Sequence, residues 1–199
     1  MKKKIKVVGL IPTRLNSSRL PQKALLMIHK IPLVMHTYKR AKMSKKLDDV
    51  YICCDDMKIY KIVKKYKAKA IMTSKHHKNG TERINEAYKK LKNTYDLVVD
   101  IQGDEPLISP FHIDQVIQYH IKNIQSDIIL PNLKIKVKNN TNIVKVVKDI
   151  KNNVLYLSRG NIPFEFKNRV DWFNKHLSIV SFKPEALEKF SLNKKTPLE

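Results

Sequence analysis

The sequence predicts an α/β fold in which a mostly parallel sheet is flanked by helices, with a strand-rich C-terminal part. Two observations carry this. Short apolar runs alternate with stretches whose apolar residues recur at helical spacing, in the order strand, helix, strand, helix. From Ile128 onward the helical spacing gives way to closely placed strand-like runs. The first run, Lys6-Val7-Val8-Gly9-Leu10-Ile11, reads as a buried strand, and Leu33 to Met43 as a helix with Leu33, Met35 and Ala41 around it. Val50 to Cys54 is the next strand. Met57 to Tyr66 carries Ile59, Ile62 and Val63 at helical spacing, Ala70-Ile71-Met72 is a third strand, and Thr81 to Leu91 repeats the helical pattern through Ile84, Ala87, Tyr88 and Leu91. Leu97 to Ile101 returns to strand. Ser109-Pro110 supplies an N-cap residue followed by proline at the first helical position, opening a helix with Ile113, Val116, Ile117 and His120 on one side. The later strands are expected at Ile128 to Leu133, Ile143 to Val147, Val154 to Leu157 and Leu177 to Phe182.

A chain of 199 residues with 42% hydrophobic content fits one domain spanning residues 1–199, with a first half, 1–127, of alternating strands and helices and a strand-rich C-terminal part, 128–199. No apolar stretch is long enough for a membrane helix, and Met1-Lys2-Lys3-Lys4 leads into a strand instead of a signal peptide, so a cytoplasmic protein is expected. Cys53 and Cys54 are neighbours in a strand and point to opposite faces, which disfavours a disulfide and suits a reducing compartment. The formal charge of +22 raises nucleic-acid binding as an alternative. The excess is 34 lysines against 6 arginines, in company with abundant asparagine and isoleucine, and reads as solvated surface. A surface of that sign still attracts anionic small molecules.

Ligands of open α/β sheets bind beyond the carboxyl ends of the strands, which directs attention to three loops. The loop after the first strand, Pro12 to Lys23, holds Arg14, Arg19 and Lys23 with Ser17 and Ser18 between them, a set of cations and hydroxyls suited to phosphate oxygens. It lacks the glycines of a P-loop, and a solvated basic loop is the equal alternative. The second, His76 to Arg83, places Asn79, Gly80 and Thr81 at a helix start, where free N–H groups can meet a base or ribose, or where Thr81 is simply an N-cap. Its adjacent histidines do not converge on one ion, so zinc is not expected. In the third, Gln102-Gly103-Asp104-Glu105-Pro106, Asp104 stands at a strand's carboxyl end, the place and chemistry for magnesium, with an acidic turn as the plainer reading.

These loops, together with Leu155-Tyr156-Leu157-Ser158-Arg159, Ile162-Pro163, His176-Leu177-Ser178-Ile179 and Thr196-Pro197-Leu198-Glu199, resemble in order and approximate spacing the CMP-Kdo synthetases, the 3-deoxy-manno-octulosonate cytidylyltransferases. The resemblance spans nearly the whole chain. It implies a Rossmann-like nucleotidyltransferase fold, transfer of CMP from CTP to the sugar acid Kdo for lipopolysaccharide biosynthesis, a magnesium ion as cofactor, and a homodimer. It further implies that Arg14, Lys23 and Asp104 are the catalytic residues, and that Asp104 ligates the magnesium. Pro12, Thr13, Arg14, Arg19, Lys23, Asn79, Gly80 and Thr81 are expected to line the CTP site, and Gln102, Arg159 and His176 to contact the sugar, the arginine pairing with its carboxylate.

Three positions depart from the family's pattern: Thr13 stands for alanine, Gln22 for glycine before the loop lysine, and Ser178 for glycine after His176-Leu177. The pattern also continues beyond Pro-Leu-Glu to an aspartate that is the second magnesium ligand. The C-terminal part, implied to bind sugar and to dimerise, is therefore expected to be incomplete within these residues. Alternatives are a cytidylyltransferase for another acidic sugar, 8-amino-Kdo or a nonulosonate, and an inactive relative.

Overall fold

The described residues of the computed structural model are 4–17, 20–136, 140–163 and 171–192. In chain order the elements are β1 (Val7–Thr13), the short pair β2 (Met27–Ile28) and β3 (Ile31–Pro32), α1 (Leu33–Ala41), β4 (Asp49–Cys54), α2 (Met57–Lys65), β5 (Ala70–Met72), α3 (Gly80–Lys89), β6 (Leu97–Ile101), α4 (Pro110–Lys122), β7 (Ile128–Ile129), β8 (Asn132–Ile135), β9 (Lys145–Lys148), β10 (Val154–Ser158), β11 (Phe173–His176), β12 (Ile179–Phe182) and α5 (Pro184–Leu192). Two units follow from the contacts, one drawn from Met1–Ile129 and Ser178–Glu199, the other Leu130–Leu177.

In the first unit β1 pairs parallel with β4 and β6, and β5 pairs parallel with β4, so the strand order is β5-β4-β1-β6-β12-β7. The expected α/β architecture is present, with β12 added antiparallel against β6. Alternation along β1 sorts the core onto two faces. Val7 and Ile11 join Val34 and Met35 of α1, Ile59 and Val63 of α2, and Ile113 and Ile117 of α4. Val8 and Leu10 face the other way, against Ile84 and Ala87 of α3 and Leu187 of α5. Cys53 and Cys54 divide between these faces, both buried and free.

Pro110 opens α4 as expected, but the Ser109 hydroxyl makes no capping bond. The strand expected at Ile128 to Leu133 divides: β7 edges the large sheet, whereas β8 belongs to the second unit. The strand expected at Leu177 to Phe182 is β12, which starts at Ile179, and residues from Ser178 group with the first unit as β12 takes its place beside β6. The hairpin β2–β3 turns through His29 and Lys30, both in left-handed backbone with φ of 46° and 63°, the conformation of a two-residue type I′ turn. No helix among the described residues is long and apolar enough to cross a membrane.

The second unit is a four-stranded sheet in the order β10-β9-β11-β8, with β11 antiparallel to both β8 and β9 and β10 at one edge.

Two polar groups lie deep in the first unit. His120 is wholly buried and satisfied on both ring nitrogens, Nδ1 by the Ser181 hydroxyl at 2.7 Å and Nε2 at 3.0 Å from the Ser126 carbonyl. Asp100 of β6 is less well provided, its carboxylate accepting only long bonds of 3.3 and 3.5 Å from the Gln102 amide. Burial pushes its carboxyl from the ordinary 3.8 up to about 7, against the opposing pull of Gln102. The unfolded carboxyl ionises near pH 4 while the folded one keeps its proton to about 7, so stability is lost as pH rises across that window. Asp100→Asn is expected to stabilise the fold by on the order of 2–4 kcal/mol at pH 8, with the gain shrinking toward pH 4. Urea unfolding at several pH values measures this, and a gain independent of pH would contradict it.

Candidate active site

Because β1, β4, β5 and β6 run parallel, their carboxyl ends share one edge of the sheet, and the loops that follow them meet there. The first loop leaves β1 at Thr13. Its path is fixed by Asp55, at the end of β4, whose Oδ1 accepts from the Leu15 N–H at 2.9 Å. The other carboxylate oxygen of Asp55 accepts from Arg83 Nη2 at 3.1 Å, and Arg83 Nη1 donates to Thr73 Oγ1 at 2.7 Å and to the Ser74 carbonyl at 3.0 Å. Arg83 is 3% exposed, so this ion pair is held out of water with most of its donors occupied.

The second loop runs from β5 to α3. Asn79 is the N-cap, in extended backbone, its side chain accepting from the Glu82 N–H at 2.9 Å. The Glu82 carboxylate reaches back to the Lys78 N–H at 2.8 Å and the Asn79 amide at 3.0 Å, a variant of the capping box. Gly80 is the first residue of the helix, and a Cβ there would lie 3.2 Å from Pro12 Cγ, so its lack of a side chain lets α3 start against the end of β1. His77 bonds Glu86, whose carboxyl, although burial works to raise it, is held at about 2 by Lys90, the Ser74 N–H and His77.

The third loop follows β6. A Cβ on Gly103 would meet Thr13 Oγ1 at 2.9 Å and the Pro12 carbonyl at 3.0 Å, so only glycine lets the first and third loops lie together. The loop is held from α1, where the buried Thr37 hydroxyl donates to the Gly103 carbonyl at 3.2 Å and Arg40 Nε to the Ile108 carbonyl at 2.6 Å. Ser178 donates its hydroxyl to Glu105 at 2.8 Å, so this departure from glycine gives the loop an extra tether.

A cleft of about 210 Å³ opens where the loops meet, lined by Pro12, Thr13 and Arg14 from the first, by residues 77–80 and Arg83 from the second, and by Gln102 from the third. Beside it in chain position, Lys23 Nζ donates to Asp104 Oδ2 at 2.6 Å, joining the first and third loops by a half-exposed ion pair. Of the expected residues, Pro12, Thr13, Arg14, Asn79, Gly80 and Gln102 share the cleft, and Lys23 and Asp104 are brought together as a pair. Thr81, half-buried one position further along α3, is not among the lining residues. Arg19 and the motif Thr196-Pro197-Leu198-Glu199 lie outside the described residues. Arg159 and His176 belong to the second unit. Burial pushes the His176 imidazole below its ordinary value, favouring the neutral ring, and Arg159 Nη1 donates to the Thr141 carbonyl at 2.9 Å.

Asp104 is the residue expected from the sequence to ligate a metal, and no group of three or more histidine, cysteine, aspartate or glutamate side chains converges among the described residues. A lone accessible carboxylate suits a hard cation that completes its shell with water and substrate oxygens, the usual mode for magnesium, and does not suit an all-protein metal cage.

Sequence reasoning missed Arg83, Asp55, His77 and Lys78 as parts of the site. Arg83 stood inside a recognised motif, and its position one turn beyond Asn79 on α3 was the available signal. Asp55 carried none, since its bond to Arg83 spans 28 residues of chain.

The sequence pattern of a family described as cytidylyltransferase matches residues 8–199. The chain belongs to the cytidylyltransferase family. Among relatives of this cytidylyltransferase, a 3-deoxy-manno-octulosonate cytidylyltransferase of Fusobacterium nucleatum is 40% identical over 98% of this chain and 80% of its own length. An 8-amino-3,8-dideoxy-manno-octulosonate cytidylyltransferase of Shewanella pealeana is 36% identical over 93% of this chain and 78% of its own. The solved structure of a CMP:2-keto-3-deoxy-manno-octonic acid synthetase complexed with CTP superposes with a TM-score of 0.87 at 30% identity, covering 96% of this chain and 80% of that one.

Arg83→Met leaves the Asp55 carboxylate buried without its partner and is expected to cost about 3–5 kcal/mol of stability. Hydrogen exchange should show the Leu15 amide losing protection with it. Retained protection at Leu15 would mean that the first loop is held by something other than this pair.

Proposed function

We propose that this chain transfers the CMP group of CTP to the anomeric hydroxyl of 3-deoxy-manno-octulosonate, giving the CMP-sugar and pyrophosphate. The observation that carries the reading is the convergence of Arg14, Asn79, Gly80 and Gln102 on one cleft, with the Lys23–Asp104 pair between the first and third loops. In the reaction the sugar oxygen forms a bond to the α-phosphorus, the bond to the β-phosphate bridging oxygen breaks, and pyrophosphate leaves with that electron pair. The hydroxyl proton passes to solvent. Positioning and charge neutralisation therefore dominate the barrier.

Each residue has a part that follows from its place. Arg14 lines the cleft, and a guanidinium has the fork geometry suited to phosphate oxygens. The N-terminus of α3, with Gly80 at its first position, presents free N–H groups to the nucleotide. Asp104 is the residue that would hold magnesium, which supplies charge neutralisation at the phosphates and lowers the pKa of the attacking hydroxyl. Lys23, paired with Asp104 at 2.6 Å and more than a third exposed, is free to exchange that carboxylate for the phosphates when the acid takes a cation. Gln102, at the end of β6, is placed to bond the sugar, and the cytoplasm is the proposed compartment.

A dimer belongs to the same reading. β10 edges the sheet of the second unit, and its Val154, Leu155, Tyr156 and Leu157 are all exposed, at 44 to 65%. An apolar edge strand left open invites pairing with another chain, and a second copy is the proposed cover.

The test is pyrophosphate release from CTP with magnesium and the sugar acid. Sugar-dependent release is expected, falling at least a hundredfold in Asp104→Ala and tenfold or more in Arg14→Ala. Release independent of the sugar would sink the reading. The Shewanella relative makes the 8-amino sugar the competing substrate, and equimolar competition with product analysis decides between the two. Sedimentation equilibrium is expected to give twice the chain mass, and Leu155→Glu to give the monomer; an unchanged mass in that variant would remove β10 from the contact.

A further inference from the structure

Lys145, in the second unit, is the most deeply buried cation of the described chain, 1% exposed. An ammonium in that position is costly unless its three hydrogens find acceptors. Two do: Lys145 Nζ donates to the Asn140 carbonyl at 2.8 Å and to the Arg159 carbonyl at 2.8 Å. Arg159 in turn donates from Nη1 to the Thr141 carbonyl at 2.9 Å, so Lys145 and Arg159 together close a ring of bonds around the turn at residues 140–141. The turn has its own local bonds, Asn142 N–H to Asn140 Oδ1 at 2.9 Å and Ile143 N–H to the Asn140 carbonyl at 3.2 Å. It is a folded abutment and not a passive loop.

The acceptors in this ring are all backbone carbonyls. No ion pair among the described residues includes either Lys145 or Arg159. A buried ammonium thus holds the backbone of an exposed arginine, and neither cation forms an ion pair with a carboxylate of the described residues. Carbonyl dipoles offset part of the cost of burial, yet the arrangement keeps its net positive charge. The exposed guanidinium is left open to an anion from outside the chain. A planar guanidinium fixed at its own backbone is the group that reads a carboxylate bidentately.

We propose that Lys145 is a positioning residue for Arg159: by gripping its backbone carbonyl, and by adding an unneutralised charge beside it, Lys145 sets the guanidinium for the carboxylate of the sugar acid. This rests on the reading that Arg159 meets that carboxylate. Lys145 itself does not touch the sugar in this account. Its effect should therefore be confined to the carboxylate-dependent part of binding, a signature that a merely structural lysine would not give.

Calorimetric titration with 3-deoxy-manno-octulosonate, with its methyl ester and separately with CTP tests this on the full chain. Lys145→Met is expected to weaken binding of the acid at least tenfold, while binding of the ester and of CTP changes less than twofold. Lys145→Arg, which keeps the charge and the donors, is expected to recover most of the loss. If Lys145→Met does not fold, Lys145→Gln, which keeps a donor but no charge, is expected to show the same selective loss. Arg159→Ala separates the two ideas. Loss of acid binding in Arg159→Ala with none in the Lys145 variants would overturn the proposal and leave the reading of Arg159 intact. No selective loss in Arg159→Ala would overturn both, as would equal weakening of acid, ester and CTP in Lys145→Met or failure of the unaltered chain to bind the acid.

Discussion

The ion pair between Arg83 and Asp55 is the constraint on which the arrangement of the site depends. Asp55 sits at the end of β4 and Arg83 on the first turns of α3, and between them they engage Leu15 of the first loop and Thr73 and Ser74 after β5. Three crossing connections are thereby tied to one guanidinium and one carboxylate. A buried pair of this kind adds little net stability over an apolar replacement of equal shape, but it does so with direction, because each donor accepts only one geometry. The consequence is specificity of loop path. Pro12, Thr13 and Arg14 reach the cleft because the residue that follows them is pinned.

The second loop and the third reach the cleft by subtraction. Gly80 and Gly103 lie where a Cβ would strike Pro12 or Thr13, so β1 is approached from two sides by backbone alone. Gln22 shows the opposite economy. Its φ of 53° is left-handed, the conformation for which the family's pattern has glycine, and a side chain there costs on the order of 1 kcal/mol. The side chain is put to use, accepting from Lys58 at 2.6 Å just before the loop lysine turns toward Asp104.

Much of this was legible in the sequence wherever the signal was periodic and local. β5 and β6 have the bounds that their apolar runs imply, and α1 to α4 start within a residue of the expected positions, because amphipathic spacing and burial agree there. The three loops were legible because the sheet rule says where to look. The rest depended on information that is not local. The hairpin β2–β3 went unseen since His29-Lys30 lacks the Asn-Gly or Asp-Gly composition of a type I′ turn. The run at Ile128 looked like one strand, yet it is shared between two sheets, a division set by pairing partners and not by the residues themselves, and the run at Leu177 enters its strand only at Ile179. At α3 the sequence offered Thr81 as the cap, whereas the cap is Asn79, fixed by its exchange with Glu82.

The two cysteines have a practical consequence for work in solution. Cys53 and Cys54 are the only sulfhydryls of the chain, and they lie on opposite faces of the central sheet, both buried. Burial pushes the Cys54 thiol up to about 11 and raises that of Cys53 as well. At neutral pH the nucleophilic thiolate is therefore scarce and shielded from maleimides, peroxide and disulfide exchange alike. The native protein is chemically silent at its thiols. A single cysteine introduced on an exposed loop would carry a fluorophore or spin label without prior removal of the native pair, giving a distance reporter on an otherwise unaltered background.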